Sequence, residues 1–346
     1  MDTMARITGG VDTHLEVHVA AALNDVGGVL GTASFPTTTA GYRQLLEWLS
    51  SFGQVELVGV EGTGSYGAGL SRFLHRHGVP VVEVDRPNRQ KRRLSGKSDT
   101  IDAISAARAA LGGTANGAAK TRDGNVEAIR DLRVAKISAH KARTQAINQI
   151  HSLVCTAPDE LRDRLRALPT PVLVEACAAM RPGAAGDVTA ATKTTLRALA
   201  RRVHHLETEI AEIEALIRPI VTATAPALLA HSGVGPDTAA ALLVAAGDNP
   251  GRLRSEATFA RLCGAAPIPA TSGKTQNRHR LHRGGDRQAN SALWRIALTR
   301  MSWDPDTKAY VERRTKEGLS KREVMRCLKR YIARELFPDL PRELLA

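Results

Sequence analysis

The sequence predicts an α/β layer domain, then a long helical spacer, then a mainly helical C-terminal domain. Three observations carry that prediction. Residues 1–111 alternate apolar runs of strand period with runs of helical period, the order that builds a sheet flanked by helices. Residues 196–220 repeat apolar side chains three and four positions apart. Charge is segregated: Lys/Arg against Asp/Glu number 11 to 11 in residues 1–111, 16 to 14 in 112–250 and 21 to 10 in 251–346. The last segment therefore holds nearly all of the net +13 and is the polyanion-binding candidate.

Composition narrows the classes further. A chain of 346 residues is long enough for two or three domains with a substantial core. Aromatic residues are only 3%, so contact with nucleic acid would lean on charge more than on base stacking. No apolar run approaches the ~20 residues that span a bilayer, and Met1–Arg6 carries no signal-peptide pattern. Cys155, Cys177, Cys263 and Cys327 are scattered without CxxC spacing, which predicts neither a zinc site nor a disulfide framework. A cytoplasmic protein without membrane contact is expected.

In the first domain, expected over 1–112, Ile7–Leu23 reads as one long strand with Asp12 at or near its centre. Leu30–Phe35 is a second strand, and Ala40–Phe52 has helical spacing. Val55–Glu61 reads as a strand ending at Gly62-Thr-Gly-Ser-Tyr-Gly67. A helix near Leu70–His77, a strand at Val79–Val84 and a helix over Asp99–Leu111 follow. The Gly62–Gly67 loop lacks the Lys-Ser/Thr of a P-loop and a full G-x-G-x-x-G, which excludes nucleotide binding there. Its glycines instead let a nucleic-acid backbone, or a neighbouring strand, come close to Glu61.

The chemistry centres on four carboxylates. Asp99 and Asp102, three residues apart, project from one side of a helix. An Asp-x-x-Asp by itself is usually a solvated face. Here Asp12 and Glu61 lie on strands, near the ends where α/β folds collect active-site groups. Four such carboxylates could hold Mg²⁺, which takes oxygen ligands from them and from water. Just before Asp99, Arg86–Lys97 holds six basic residues in twelve. Arg89, Lys91, Arg92, Arg93 and Lys97 could there guide a phosphate beside the metal.

The middle of the chain, 122–225, reads as a helical hairpin. Val126–Val154 is amphipathic, with Ile129, Leu132, Ile137, Ile147, Ile150 and Leu153 on its apolar side. Leu196, Leu199, Val203, Leu206, Ile210, Ile213, Ile217 and Ile220 form a seam of coiled-coil type. Pro158, Pro169, Pro171, Pro182 and Gly183–Gly186 break the pattern between them, leaving a small helical tip. The seam predicts self-association through this arm, or packing of the helix pair on its own domain.

The C-terminal domain, 226–346, opens with Ser232-Gly-Val-Gly-Pro-Asp-Thr-Ala239, leading into a helix through Ala246. It resembles a helix-hairpin-helix turn, in which Gly233 and Gly235 let backbone N–H groups face a DNA phosphate. A short helix over Gly251–Leu262 leads to the loop Ala270-Thr-Ser-Gly-Lys-Thr275, and Gln276–Arg287 follows. A serine hydroxyl needs activation to act as a nucleophile. Lys274, Arg278, Arg280, Arg283 and Arg287 surround Ser272 in sequence and could stabilise a phosphate. Thr271 and Thr275 are neighbouring hydroxyls, so Ser272 is not the unique candidate. His279 and His282 are phosphate or structural contacts rather than metal ligands, because no partner cluster accompanies them. Leu293–Met301 and Ser320–Phe337 are helices, and Asp304–Gly318 is a connector.

Three phrases in order carry a family resemblance: Gly10-Val-Asp-Thr-His14, Val60-Glu-Gly-Thr-Gly-Ser-Tyr66 and Lys97-Ser-Asp-Thr-Ile-Asp-Ala103. With Asp12, Glu61, Asp99 and Asp102 they resemble the DEDD tetrad of RuvC-like, ribonuclease-H-fold domains, and within those the DEDD insertion-sequence transposases (the IS-one-ten family). The Ser272-Gly-Lys274 loop, followed by Arg283-Gly-Gly-Asp-Arg287, resembles that family's C-terminal transposase domain. The resemblance implies a site-specific DNA recombinase with Ser272 as nucleophile beside a Mg²⁺-binding tetrad. It also implies donor and target DNA, a bridge noncoding RNA that pairs with both, and association with the nucleoid. Sites composed across subunits would make the arm an oligomerisation element, giving a dimer or a dimer of dimers. The competing enzyme reading is a Holliday-junction resolvase-like nuclease that uses water; a catalytically idle nucleic-acid-binding protein is the non-enzymatic one.

Overall fold

The computed structural model describes residues 5–84, 98–115, 117–183, 186–247, 253–271, 279–282 and 284–340. Residues 7–23, expected as one strand, form a hairpin of two: β1 (Arg6–Thr13) and β2 (Val17–Leu23), paired antiparallel. The break at 14–16 holds no glycine or proline; it is held from outside. Thr37 donates its hydroxyl to the Leu15 carbonyl at 2.7 Å and its N–H to the Glu16 carbonyl at 3.0 Å. Asp12 consequently lies one residue from the end of β1, not at the centre of a strand.

β3 (Val29–Pro36), α1 (Thr39–Ser50), β4 (Gln54–Glu61), α2 (Ala68–Arg76), β5 (Val81–Val84), α3 (Asp99–Leu111) and β6 (Gly117–Ala118) follow. They build a mixed sheet of order β3-β2-β1-β4-β5-β6. β1, β4 and β5 run parallel, and β2 is antiparallel to both of its neighbours. This is the α/β layer that the sequence predicts.

Strand alternation assigns the two faces of the sheet. Ile7 and Val11 of β1, with Val58 and Val60 of β4, pack in one cluster with Leu45, Leu49, Leu70 and Leu74 of α1 and α2. Their neighbours Gly10 and Gly59, paired with each other in the sheet, face α3. A Cβ at Gly10 would lie 2.1 Å from the Ala107 nitrogen and 2.3 Å from the Ala103 carbonyl oxygen; one at Gly59 would lie 2.6 Å from the Ala106 oxygen. Glycine in the strands and alanine on the helix let α3 lie directly on the sheet. His18 is wholly buried and stacked on Tyr42 at 5.7 Å between ring centroids. Burial, aided by the charge of His14, lowers its pKa to about 4, so it is a neutral core residue near neutral pH.

The chain divides into two compact units, one from the described residues within 1–127 and 245–259, the other from 128–244 and 260–340. The second contains most of α4 (Asn125–Cys155), then α5 (Asp159–Leu165), α6 (Thr170–Ala178) and α7 (Val188–Thr224). Leu196, Ala200 and Val203 of α7 pack with Ile150 and Val154 of α4 and with Leu161, Leu173 and Cys177 of the tip helices. Farther along, Leu206 and Ile210 meet Ala139. From Leu196 to Ile210 the seam is thus closed inside the chain. All eight of its predicted residues are buried or half-buried, and Leu216 beside them is exposed.

α8 (Pro226–Ala230), α9 (Pro236–Ala246), α10 (Glu256–Leu262), the small hairpin β7–β8 (Pro267–Pro269 and His279–Leu281), α11 (Arg287–Trp303), α12 (Pro305–Lys316) and α13 (Lys321–Leu336) complete the elements. α12 replaces the expected connector at 304–318. It has no apolar stripe, but Asp304 caps it by accepting from the Thr307 N–H, and Pro305 occupies its first turn. The helix expected from Gly251 starts at Glu256, and Gly251 itself lies outside the described residues. All four cysteines are free, and no described helix is long and apolar enough to cross a membrane.

Candidate functional site

The parallel register brings two carboxylates to adjacent strand ends. Gly10 pairs with Gly59 and Val11 with Val60, so Asp12 and Glu61 are the next residues on neighbouring strands, on the face that carries α3. Both are buried, at 7% exposure each. The Thr13 hydroxyl donates to the Glu61 carbonyl at 2.8 Å and ties the two ends together.

α3 supplies the rest. Asp99 and Asp102 sit in its first turn, where the positive end of the helix dipole favours negative charge. His14, just past β1, places Nε2 3.2 Å from Asp12 Oδ2 and 3.4 Å from Asp99 Oδ1. One ligand atom each from Asp12, His14 and Asp99 lies within 4.8 Å of the others. Among the described residues, Asp102 and Glu61 stand outside that tight group. Asp102 nevertheless acts on it: burial, partly offset by His14 and reinforced by the charges of Asp102 and Asp99, raises the Asp12 carboxyl above its ordinary value.

The donor set fits a divalent cation. A buried carboxylate and two half-buried ones repel one another at close range, and a dication would reverse that repulsion. Carboxylate oxygens suit a hard ion, and the His14 imidazole widens the choice to transition metals. Sequence reasoning did not assign His14. Its signal was the Asp-Thr-His spacing, which has meaning only once the chain turns at residue 14.

The position of α3 sets the distance from Asp12 to Asp99, and Gly10 sets the position of α3. Gly10→Ala is expected to lower stability by about 2 kcal/mol, because its Cβ meets backbone that cannot yield locally. It should also weaken any stabilisation by added divalent cation. Thermal melts with and without cation check both effects; an unchanged cation response would mean that α3 does not position the site.

Of the basic residues read as phosphate contacts, Arg89, Lys91, Arg92, Arg93, Lys97, Lys274, Arg278 and Arg283 lie outside the described residues, as do Ser272 and Thr275. Thr271 is described and exposed, and His279 is exposed on β8. Arg280, exposed on β8, lines a cavity of about 390 Å³ with Arg326, Arg330 and Tyr331. Arg287 is the exposed first residue of α11.

The two glycines of the hairpin-like turn have local reasons of their own. Gly233 has φ +75°, and a Cβ there would lie 3.2 Å from the Ile296 carbonyl oxygen. The Gly235 N–H donates to the Thr238 hydroxyl at 3.0 Å. The next residue but one, Asp237, already places an anion in the first turn of α9. Arg133 at 2.8 Å, Lys136 at 2.9 Å and Arg295 at 2.6 Å converge on it. Burial alone would raise the Asp237 carboxyl, but the Lys136 hydrogen bond, the Arg133 charge and the Arg295 hydrogen bond outweigh it and hold it well below the usual carboxylate range.

Comparison with known proteins places both ends of the chain. Residues 9–157 match the family model of IS110 DEDD transposases, described as "Transposase". Residues 225–312 match the model "Transposase IS116/IS110/IS902 family". The insertion element IS110 uncharacterized 43.6 kDa protein of Streptomyces coelicolor is 32% identical over 130 residues, 37% of this chain and 32% of that protein. The insertion element IS900 uncharacterized 42 kDa protein of Mycobacterium paratuberculosis is 30% identical over 127 residues, 36% of this chain and 32% of that protein. The matched stretch spans about a third of each relative's own length. The first match contains Asp12, Glu61, Asp99 and Asp102, and the second contains the Ser272 loop; the chain belongs to the IS110 family of transposases.

Proposed function

We propose that this chain is a site-specific DNA recombinase that excises and inserts an insertion sequence, guided by a bridge noncoding RNA. The observation that carries the reading is the convergence of Asp12 and Asp99 on His14 at the end of β1. An acidic, cation-ready site in a transposase family is suited to phosphoryl transfer on DNA. The sheet order, with β2 antiparallel beside the parallel β1, β4 and β5, supports a ribonuclease-H/RuvC-like domain over 1–112. The arm of 122–225 and the C-terminal transposase domain of 226–346, with its helix-hairpin-helix-like turn, complete the division. Self-association as a dimer or a dimer of dimers would use surface outside the closed seam.

Asp12, Glu61, Asp99 and Asp102 would hold Mg²⁺, with His14 against Asp12 and Asp99. When bound, the ion would polarise a phosphate oxygen and stabilise the negative charge that develops on it. The Ser272 hydroxyl attacks a DNA phosphate. Its oxygen bonds to phosphorus as the bond to the departing strand breaks, and the proton that the hydroxyl gives up is balanced by the one that strand's oxygen takes up. Arg280 and Arg287, with the basic residues on either side of Ser272, hold the phosphate and offset its negative charge.

The test is to trap the covalent link. Protein, Mg²⁺, bridge RNA and donor DNA are incubated, denatured and run on a gel. Wild-type protein is expected to carry a DNA adduct, and Ser272→Ala to lose it by at least a hundred-fold. An adduct on Ser272→Ala would remove this serine as nucleophile. Strand cleavage without an adduct would favour the resolvase-like reading, with water as nucleophile. Full activity without RNA would remove the guide.

A further inference from the structure

A second cavity, of about 600 Å³, lies along the first two turns of α11 and shares only Arg287 with the chemistry above. Its lining includes Lys329, Trp294, His282 and Arg287. Lys329 is 8% exposed. Among the described residues no carboxylate pairs with it, and its ammonium donates to Asn290 Oδ1 at 3.1 Å. Asn290 cannot reorient, because its Nδ2 donates to the carbonyls of Cys263 at 2.8 Å and Gly264 at 3.1 Å. The ammonium is therefore aimed by a fixed amide and keeps two N–H donors for something else.

A buried cation without a counter-charge is costly unless an anion completes it. Burial, with Arg326 nearby, lowers the Lys329 pKa, as expected for a charge held in that state. The rest of the cavity indicates the kind of anion. Trp294, 44% exposed, also lines the cavity, and an indole is a surface on which a nucleobase can stack. Among the described residues His282 Nδ1 is buried without a hydrogen-bond partner, and an imidazole nitrogen can hydrogen-bond a base edge. Arg287 lines it as a second, exposed cation. The volume is in the range of small-ligand sites. A protein with 3% aromatic residues exposes one here beside a buried ammonium.

We infer that this cavity takes one unpaired nucleotide of the bound nucleic acid, its base against Trp294 and its phosphate on Lys329 and Arg287. The inference rests on the nucleic-acid reading of the preceding section. It adds a site that separates unpaired from fully paired strands, which a recombinase needs wherever duplex opens.

The test is fluorescence anisotropy with labelled five-nucleotide single strands, in a DNA arm and an RNA arm, against a labelled duplex. Trp294→Ala is expected to weaken single-strand binding about ten-fold, within the range of one base–aromatic stack. Duplex binding should stay within about two-fold of wild type, and Trp294→Phe should restore most of the loss. Trp294 is half exposed, so the variant keeps its fold, which a melt verifies. Lys329→Gln retains a donor to Asn290 and should flatten the salt dependence of single-strand binding by about 0.7 in log–log slope, the loss of one phosphate contact. The arm with the larger Trp294 effect identifies the strand type. Single-strand binding unchanged in Trp294→Ala, or lost equally with duplex binding, overturns the nucleotide pocket alone. A wild-type protein that binds neither strand nor duplex overturns the nucleic-acid reading beneath it.

Discussion

Asp12→Asn is expected to abolish the protein's response to divalent cation and to lower strand cleavage on the order of a thousand-fold. Asp12 is the most buried of the three carboxylates at the tip of β1 and α3, and Asp99 and Asp102 press like charge upon it. In the wild type, cation at a hundred times its dissociation constant should add about 2.7 kcal/mol of stability by mass action. The variant keeps the shape of the side chain and discards its charge. Without cation it should melt no lower than wild type, because a desolvated charge next to two others has been removed. Thermal melts across a cation titration separate the effects. An equal cation shift in both proteins would show that Asp12 does not hold the ion.

Asp237→Asn is expected to destabilise the second unit by about 3 kcal/mol near neutral pH. Its carboxylate is the shared partner of Arg133, Lys136 and Arg295, and the first two are almost fully buried. Among the described residues Lys136 would keep only Glu214, at 2.7 Å, and the Arg133 Nη1 donor only the Asp237 main-chain carbonyl, at 2.9 Å. The pH dependence follows from the direction of the shift. A carboxyl held below its ordinary value of 3.8 stabilises the fold fully above that value and loses the contribution as pH falls through and below it. The gap between wild type and variant in urea unfolding should therefore be complete at pH 7 and shrink at pH 3. A gap of the same size at both pH values would mean that charge pairing is not its source.

Much of the candidate site was legible in the residue string, for identifiable reasons. α3 spans Asp99–Leu111, the range expected for a helix there, with Asp99 and Asp102 in its first turn. β4 ends on Glu61 as expected, where Gly62 takes φ +66° and turns the chain. The turn at residue 14 was not legible. His14, Leu15 and Glu16 carry no turn signature, and the bonds that hold them come from Thr37, more than twenty residues on. His14 was lost with that turn. α12 escaped because its exposed surface is laced with ion pairs such as Lys316–Glu312, leaving no apolar stripe to count. The apolar stripe of α7 faces partners from its own chain over Leu196–Ile210, and periodicity is the same whether the facing helix belongs to another chain or to this one.

The sequence by itself determined which residues share a face. Periods of 2 and 3.6 belong to the backbone, so Asp12 falls on the same side of β1 as Gly10, and Asp102 on the same turn of α3 as Asp99. Only the tertiary structure decided which faces meet. Gly10 and Gly59 leave room for α3 to lie on the strands, and that contact carries Asp99 to His14 and Asp12. The same holds for Lys329 and Asn290, and for Asp237 with its three cations. Each group is ordinary in its own segment and acquires its interactions when packing removes it from water, because charge acts strongly only where solvent no longer screens it.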